Sequence, residues 1–161
     1  MEVTQSLLNE LFEYRDGELY WKAPTANCIK IGDKAGTKDN TGYIRTRVKG
    51  KPYLNHRLIF LMLKGYLPAY LDHIDNDKTN NRIENLREAT LSQNQHNRKL
   101  NKNNKSNCKG VHWAKALKKW QVIIWIEGKP KYFGIFEDKE QAVLVAKEAR
   151  LKYHGDFANH G

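Results

Sequence analysis

Short apolar runs separated by turn residues fill the first third of the chain. Asp16-Gly17 separates LFEYR from ELYWK, and Lys49-Gly50-Lys51 separates GYIRTRV from PYLN. A glycine beside a polar residue, set between two apolar runs, is typical of a β-hairpin turn. The pattern therefore predicts short strands joined in hairpins.

A helical pattern follows in the segment HRLIFLMLKG. Its apolar positions recur at helical spacing, at Leu58, Ile59, Met62 and Leu63. Asn55 can cap this helix and Gly65 can end it. We expect the helix to belong to the core. A capping or packing role is favoured for His56 in its first turn, with a functional role left open.

Three strand-like runs occupy the last third of the chain. They are KGVHWAKA, KWQVIIWI and KPKYFGIF, and Glu127-Gly128-Lys129 provides a tight turn between the second and the third. Side chains alternate in KWQVIIWI, so one face carries Trp120, Val122, Ile124 and Ile126, and the other carries Gln121, Ile123 and Trp125. The first face is expected to meet a helix.

That helix is predicted in the segment DKEQAVLVAKEARLKYHG. Asp138 is a good N-cap, with Gln141 three residues later. One helix face is lined by Ala142, Ala146, Ala149 and Tyr153. Small side chains on that face allow the helix to lie close to a sheet.

The positive charge of the chain indicates that its partner is a nucleic acid. The 161 residues carry a net charge of +10 with a pI near 9.6, which favours binding to a polyanion. No acidic residue occurs between Glu88 and Glu127, whereas this stretch contains Arg98, Lys99, Lys102, Lys105, Lys109, Lys115, Lys118 and Lys119. Residues 98–107 have almost no apolar side chains, so they are predicted to form a linker.

The cysteine and hydropathy patterns exclude several other classes of protein. Cys28 and Cys108 are far apart, which indicates neither a disulfide framework nor a Cys-x-x-Cys zinc site. No apolar run approaches the roughly 18 residues of a membrane span, and no signal-peptide pattern follows Met1. The expectation is a soluble protein of a reducing cytoplasm.

The segment Asp72 to Asn97, DHIDNDKTNNRIENLREATLSQNQHN, carries the candidate chemistry. Hydrolysis of a phosphodiester requires an activated water, charge neutralisation at phosphorus and stabilisation of the leaving oxygen. A neutral imidazole such as His73 and one hard divalent cation can supply all three. The oxygen atoms of Asp72 and Asn94 suit Mg²⁺, with Mn²⁺ as the alternative, better than zinc.

Residues 53–98 resemble the HNH endonucleases of phage and intron homing type, in the HRL helix, the DHID strand, the NNRIENLR loop and an Asn-bearing helix. The resemblance implies a ββα-metal fold in which Asp72 and Asn94 bind the cation and His73 is the general base. It also implies that Asn85 pins the loop and holds His73 in place. Thr90 can cap the helix with Gln93, and Asn97 or Arg98, which share a helix face with Asn94, could complete the site.

Residues 109–158 resemble an AP2 domain, in the pieces GVHW, KWQVIIWI, YFGIF and HGDFA. Such a domain reads DNA with a three-stranded sheet backed by one helix. The resemblance places Lys109, His112, Trp125 and Tyr132 at DNA, while Gln121 and nearby lysines such as Lys115 extend the basic and aromatic surface. Ala114 and Ile123 depart from the family pattern, because both are apolar where polar contacts are usual.

Together these patterns predict an α+β chain with an HNH nuclease domain (1–97), a basic linker (98–108) and an AP2-like domain (109–161). The expected function is metal-dependent cleavage of double-stranded DNA by nicking, in a monomeric homing-type enzyme of phage origin acting in a bacterial cytoplasm. A non-catalytic DNA-binding regulator with a degenerate nuclease fold is the alternative. An RNA-binding or RNA-cleaving protein is a third hypothesis, since exposed aromatics on a sheet also suit RNA.

Overall fold

A computed structural model describes residues 3–23, 26, 28–97, 100–101 and 103–160. The chain divides into two compact units, residues 1–88 and residues 89–161. Both units mix helices with antiparallel strands, as the α+β prediction requires. Within the described residues, no helix is both long enough and apolar enough to cross a membrane.

The first unit is built from short strands and two helices. In chain order its elements are α1 (Gln5–Leu11), β1 (Phe12–Arg15), β2 (Glu18–Trp21), β3 (Lys34–Ala35), β4 (Thr37–Lys38), β5 (Ile44–Val48), β6 (Lys51–Leu54), α2 (Asn55–Lys64), β7 (Tyr70–His73) and β8 (Leu86–Ala89). The strands form sheets ordered β1-β2-β3, β4-β5-β6 and β7-β8. A 3₁₀ turn, Ile83–Asn85, precedes β8.

Both predicted hairpins are present, and their turns have the expected geometry. Asp16 and Gly17 join β1 to β2, and Lys49 and Gly50 join β5 to β6, all with positive φ angles of 47–87°. Two consecutive residues with positive φ form the turn that matches the twist of paired strands. Gly17 is also required by a close approach, because a Cβ atom there would lie 2.7 Å from the backbone nitrogen of Arg82.

The strand prediction for the first third is wrong at residues 5–11, which form helix α1. Thr4 caps this helix by accepting a hydrogen bond from the backbone N–H of Leu7 at 3.3 Å. Leu8 and Leu11 are its buried residues. A helix of seven residues has little stability in isolation, so α1 depends on packing against the rest of the unit.

The core of the first unit draws on both the N-terminal strands and helix α2. Its buried members are Leu8, Leu11, Phe12, Leu19, Trp21, Ala35, Val48, Leu58, Ile59, Phe60, Met62, Leu71 and Leu86. Phe12 and Trp21, opposite each other in β1 and β2, contact through their rings at 4.5 Å between centroids. The first fifty residues therefore complete the hydrophobic core around α2 and β7.

Helix α2 matches its predicted segment, but Asn55 does not cap it. The N-cap position is Leu54, which makes no side-chain cap bond, and Gly65 ends the helix with φ 81° as predicted. Asn55 is instead buried: its Nδ2 donates to the carbonyl of Ala35 at 2.9 Å, and its Oδ1 accepts from Thr46 Oγ1 at 2.7 Å. The asparagine thus ties α2 to two neighbouring sheets.

The second unit contains the sheet and helix that the sequence predicts. Its elements are α3 (Leu91–Asn97), β9 (Val111–Ala114), β10 (Lys119–Ile126), β11 (Lys129–Phe136) and α4 (Lys139–His154). The antiparallel sheet has the order β11-β10-β9. The predicted alternation of β10 holds: Val122 and Ile124 are buried with the alanines of α4, and Trp125 on the other face is exposed.

The buried face of helix α4 differs from the predicted one in the last turns of the helix. Asp138 is the N-cap, as expected, and its side chain accepts from the backbone N–H of Glu140 at 2.8 Å. The alanines are buried, but Tyr153 is 38% exposed, so its assignment to the buried face was wrong. Arg150 and His154 are buried in its place. They follow Ala146 at a spacing of four residues, which keeps them on the same face.

The boundary between the two units lies after Glu88, earlier than the expected boundary at residue 97. Helix α3 groups with the second unit, where Asn159 Nδ2 donates to the carbonyl of Asn97 at 2.9 Å and the ring of His96 stacks on that of His154. The end of the predicted linker is also packed in this unit: Ser106 and Cys108 are buried. Ser106 Oγ donates to the carbonyl of Val111 at 2.7 Å.

Replacing Asn55 with Ala should lower the free energy of unfolding by about 2–4 kcal/mol, since it leaves the buried hydroxyl of Thr46 and the carbonyl of Ala35 without their partner. Urea unfolding measures the change. Asn9→Ala, at an exposed position of α1, serves as control and should stay within about 0.5 kcal/mol of the parent. Equal stabilities for the two variants would contradict a structural role for Asn55.

Candidate functional site

The strand pair β7–β8 positions the Asp-His pair that the sequence singled out. Asp72 and His73 are consecutive in β7, so their side chains point to opposite faces of the strand. Both are nevertheless buried, each with 6% exposure. The first unit therefore covers β7 on both faces, and it places an acid and an imidazole in its interior.

The carboxylate of Asp72 is held by an arginine of the neighbouring strand. Arg87 donates to Asp72 Oδ2 from Nε at 3.0 Å and from Nη2 at 2.9 Å. A buried carboxylate is costly unless it is paired in this way. Burial, together with the charges of Asp72 and Asp39, raises the pKa of Tyr43. The Asp72 carboxylate is thus compensated by Arg87 and still acts on the ionisation of Tyr43.

The imidazole of His73 is oriented by an asparagine from the loop that follows β7. His73 Nε2 lies 3.0 Å from Asn81 Oδ1, and Asn81 is buried. An amide oxygen only accepts, so Nε2 carries the proton and Nδ1 of the neutral ring carries the lone pair. Asn81 makes this contact with His73, and the role that the resemblance implies for Asn85 in holding His73 stays a prediction.

Asn85 pins the loop between β7 and the 3₁₀ turn. Its Oδ1 accepts from the backbone N–H of Asp75 at 3.1 Å, and its Nδ2 donates to Asp75 Oδ1 at 2.9 Å and to the carbonyl of Asn80 at 2.8 Å. Burial opposes ionisation of Asp75, but hydrogen bonds from Asp77, Asn80 and Asn85 outweigh it and lower the pKa of Asp75. This bonding fixes the loop that carries Asn81.

The N-terminal hairpin supports the same loop from outside. Tyr14 of β1 accepts a hydrogen bond on its hydroxyl from the backbone N–H of Ile83 at 3.2 Å. Gly17, in the β1–β2 turn, approaches the backbone of Asn81 and Arg82 so closely that a side chain would not fit. The sequence offered only a weak signal for Asn81, as one of several asparagines in the loop.

A cluster of aromatic rings packs against His73. The ring of His56 meets that of His73 edge-on at 4.9 Å, and Tyr43 lies 5.3 Å from His56 and 6.0 Å from His73. Burial, reinforced by His73 and Arg57, lowers the pKa of His56 to about 3. His56 is therefore neutral near pH 7 and packs in the core, which is the role that the sequence favoured.

The other predicted site residues belong to the second unit. Thr90 and Gln93 form the expected capping box of α3, with Thr90 Oγ1 accepting from Gln93 N–H at 3.2 Å and Gln93 Oε1 accepting from Thr90 N–H at 2.8 Å. Asn94 follows in this helix, and Asn97 at its end is buried. Arg98 lies outside the described residues. The pairing of Asp72 with Asn94 therefore stays a prediction.

The donor set suits a hard cation that keeps few protein ligands. No group of three or more His, Cys, Asp or Glu side chains that could hold a metal occurs among the described residues. Mg²⁺ is commonly bound through one or two carboxylates, with waters and substrate phosphates completing its shell. As ligand types, the predicted carboxylate and amide oxygens fit that requirement better than a tetrahedral zinc site.

The predicted DNA-contacting residues fall into two groups in the second unit. His112 pairs with Gln121, Ile123 with Tyr132 and Trp125 with Pro130. Residues that pair directly share a sheet face, so the sheet brings together His112, Gln121, Trp125 and Tyr132. Lys115 is exposed in the turn after β9. Lys109 lines a cavity together with Trp125, Arg150 and His154.

Comparison with known proteins finds one family model and viral relatives. Residues 53–96 match the family model described as HNH endonuclease. The chain is 37% identical to Protein 3.8 of Escherichia phage T7 over 95 residues, which cover 59% of this chain and 75% of that protein. It is 41% identical over 120 residues to an uncharacterized HNH endonuclease of Acanthamoeba polyphaga mimivirus, covering 73% of this chain and 62% of that protein.

The chain thus spans less than two-thirds of the mimivirus protein, while it covers most of the phage protein. No solved structure matches it. The family-model match indicates a nuclease domain in the part of the chain that contains β7, β8 and their loop. The chain belongs to the same family as Protein 3.8 of phage T7, and it carries an HNH endonuclease domain at residues 53–96.

Proposed function

We propose that this chain is a metal-dependent DNA endonuclease that hydrolyses phosphodiester bonds with His73 as general base. The observation that carries the proposal is the buried pair of Asp72 and His73, with the imidazole oriented by Asn81 at 3.0 Å. Hydrolysis of a phosphodiester requires a general base and a bound cation. The oriented imidazole can act as the base, and the carboxylate can act as a cation ligand. The HNH family match supports the same chemistry.

In the proposed mechanism His73 takes a proton from the attacking water. Asn81 keeps the Nε2 proton in place by accepting its hydrogen bond, so Nδ1 is the basic atom. Asp72 and Asn94 would hold a divalent cation, Mg²⁺ or Mn²⁺. When bound, this cation would neutralise charge on the phosphate and stabilise the leaving oxygen. Arg87 fixes the Asp72 carboxylate through its two hydrogen bonds to Oδ2.

The second unit is proposed to anchor the enzyme on double-stranded DNA. Its sheet presents a face with His112, Gln121, Trp125 and Tyr132, and the AP2 resemblance assigns DNA contacts to such a face. Trp125 is 58% exposed, which is unusual for an indole unless it has a partner. Phosphate neutralisation by the lysines of this unit would make binding strongly dependent on salt.

A single Asp-His site predicts a nick in one strand, made by a monomer. The phage and mimivirus relatives support a viral or mobile origin, and hence action in the cytoplasm of an infected cell, with a homing role as the specific form. One observation favours an alternative. If the guanidinium of Arg87 kept the cation away from Asp72, the chain would bind DNA without cutting it, as a regulator.

Supercoiled plasmid tests the proposed cleavage. Incubation with Mg²⁺ or Mn²⁺ should convert it to open circles, and a chelator should abolish conversion. His73→Ala should lower the rate by roughly 10²–10⁴-fold, because the general base is lost, while DNA binding survives. His112→Ala, which removes an imidazole from the other unit, should retain cleavage at saturating protein. DNA binding with an intact plasmid carrying the natural target would favour the regulator.

Asn81→Leu should slow cleavage by about 10- to 100-fold, since it removes the acceptor that orients His73. Asn81→Asp, which keeps an oxygen at that position, should recover part of the rate. Single-turnover cleavage with saturating protein measures both variants, and circular dichroism checks their folding. Equal losses in two folded variants would show that Asn81 acts through packing rather than through its oxygen.

Trp125→Ala should weaken duplex affinity about tenfold, a loss within the range expected when an aromatic contact to DNA is removed. The saturated cleavage rate should not change. Trp113→Ala is a matched control, because Trp113 is also exposed but pairs with Trp120, whose face packs on α4. Fluorescence anisotropy with a labelled duplex gives both affinities. Unchanged affinity in Trp125→Ala would make Trp125 a packing residue.

A further inference from the structure

The second unit contains a cavity of about 320 Å³ that the proposed nuclease mechanism does not use. Its lining comes from α3, the two residues before β9, the end of β10 with the turn that follows it, and helix α4. The titratable side chains in that lining are His96, Lys109, Arg150 and His154. None of the described residues lining the cavity is acidic. A basic cavity without an internal counter-ion is a candidate site for an anion.

Arg150 is the unusual member of this lining, because it is only 5% exposed. Its Nη2 donates to the carbonyl of Asn159 and, at 3.4 Å, to the carbonyl of His96. Its Nε is buried and has no acceptor in the described structure. Burial lowers the pKa of Arg150, yet a guanidinium keeps its proton. Among the described residues, the hydrogen bonds of this buried cation go to carbonyls, and it lacks the counter-charge that such a group normally has.

His154 offers a second unused polar atom in the same cavity. Its Nε2 donates to the carbonyl of Trp125 at 2.9 Å, while its Nδ1 is buried without a partner. The ring of His96 stacks parallel to that of His154, with 3.7 Å between centroids. An anion beside Nδ1 would favour protonation, which would make this atom a hydrogen-bond donor. Arg150 and His154 thus line the same cavity, and each has a buried nitrogen without a partner among the described residues.

Lys109 adds a positive charge to the cavity, and Trp125 adds an aromatic ring. Lys109 Nζ donates to the carbonyl of His96 at 3.4 Å, so its charge lies close to that of Arg150. Trp125 lines the cavity and is also exposed on the sheet. A volume near 320 Å³ is at the small end of ligand sites, which suits a phosphate group with at most one nucleotide attached.

We propose that this cavity binds a phosphate group, with Arg150 as its anchoring donor and Lys109 and His154 as additional partners. Phosphate matches the guanidinium, because its oxygens accept several charge-assisted hydrogen bonds at once. The phosphate comes either from the DNA backbone or from a free anion. The first source rests on the proposed DNA-binding function and would fix one strand beside Trp125, while the second source does not depend on that function.

The full chain, labelled with ¹⁵N, tests the proposal without any substitution. Inorganic phosphate, titrated against chloride at constant ionic strength, should shift the ring nitrogen signals of His154. A duplex oligonucleotide should shift them in a parallel titration. A response to phosphate and duplex identifies a general phosphate site, and a response to duplex alone identifies a backbone contact. Stationary His154 signals in both titrations would overturn the proposal.

Substitution adds an independent measurement. Arg150→Gln should lower duplex affinity at least about tenfold, the loss expected for one charge-assisted hydrogen bond. The slope of log affinity against log salt should fall by about 0.9, as for one phosphate released. Lys147→Gln is the matched control: it removes the same charge from an exposed position of α4 and should change affinity much less. Equal effects of the two variants would contradict a site at Arg150.

Two further comparisons keep the result interpretable. If Arg150→Gln fails to fold, Lys109→Gln replaces it, with the same expected loss of affinity and the His154 titration of the parent chain as the deciding measurement. Plasmid cleavage by the parent chain is scored separately. Cleavage with unchanged His154 signals would reject the phosphate site and leave the nuclease proposal intact. Shifted His154 signals without cleavage would support the phosphate site and count against the nuclease proposal.

Discussion

Burial of a charged carboxylate in strand β7 is the constraint on which the first unit depends. Asp72 has 6% exposure, and a charge at that depth must be compensated. Arg87 supplies the compensation from β8, the strand that pairs with β7. The ring N–H of the adjacent His73 is also buried, and Asn81 provides its acceptor. The candidate site thus contains buried, hydrogen-bonded polar side chains next to the hydrophobic core of the first unit.

That core extends beyond the segment with the HNH family match. The match covers residues 53–96, yet the core around α2 and β7 also uses Leu8, Phe12 and Leu19 from the N-terminal elements. The β1–β2 hairpin approaches the loop that carries Asn81, through Tyr14 and Gly17. The N-terminal helix and strands therefore contribute to the core around the matched segment, and Tyr14 and Gly17 restrict the position of the loop that orients His73.

Local patterns predicted the elements well, and nonlocal contacts account for what they missed. The turns at Asp16-Gly17 and Glu127-Gly128 and the alanine face of α4 follow from neighbours in sequence, as does the motif around Asp72 and His73. The bond from Asn81 to His73 and the burial of Arg150 depend on the tertiary fold, and single-residue patterns do not contain that information. Helix α1 was not predicted because so short a helix is stabilised by packing against a core rather than by its own sequence.

Chemical rescue of His73→Ala by free imidazole most directly tests whether His73 is the general base. A small imidazole can occupy the space left by the deleted ring and take the proton in its place. The account predicts that cleavage by His73→Ala rises with imidazole concentration, whereas the rates of the parent chain and of Asp72→Ala do not. No recovery across the titration, with DNA still bound and the variant folded, would contradict a catalytic base at His73.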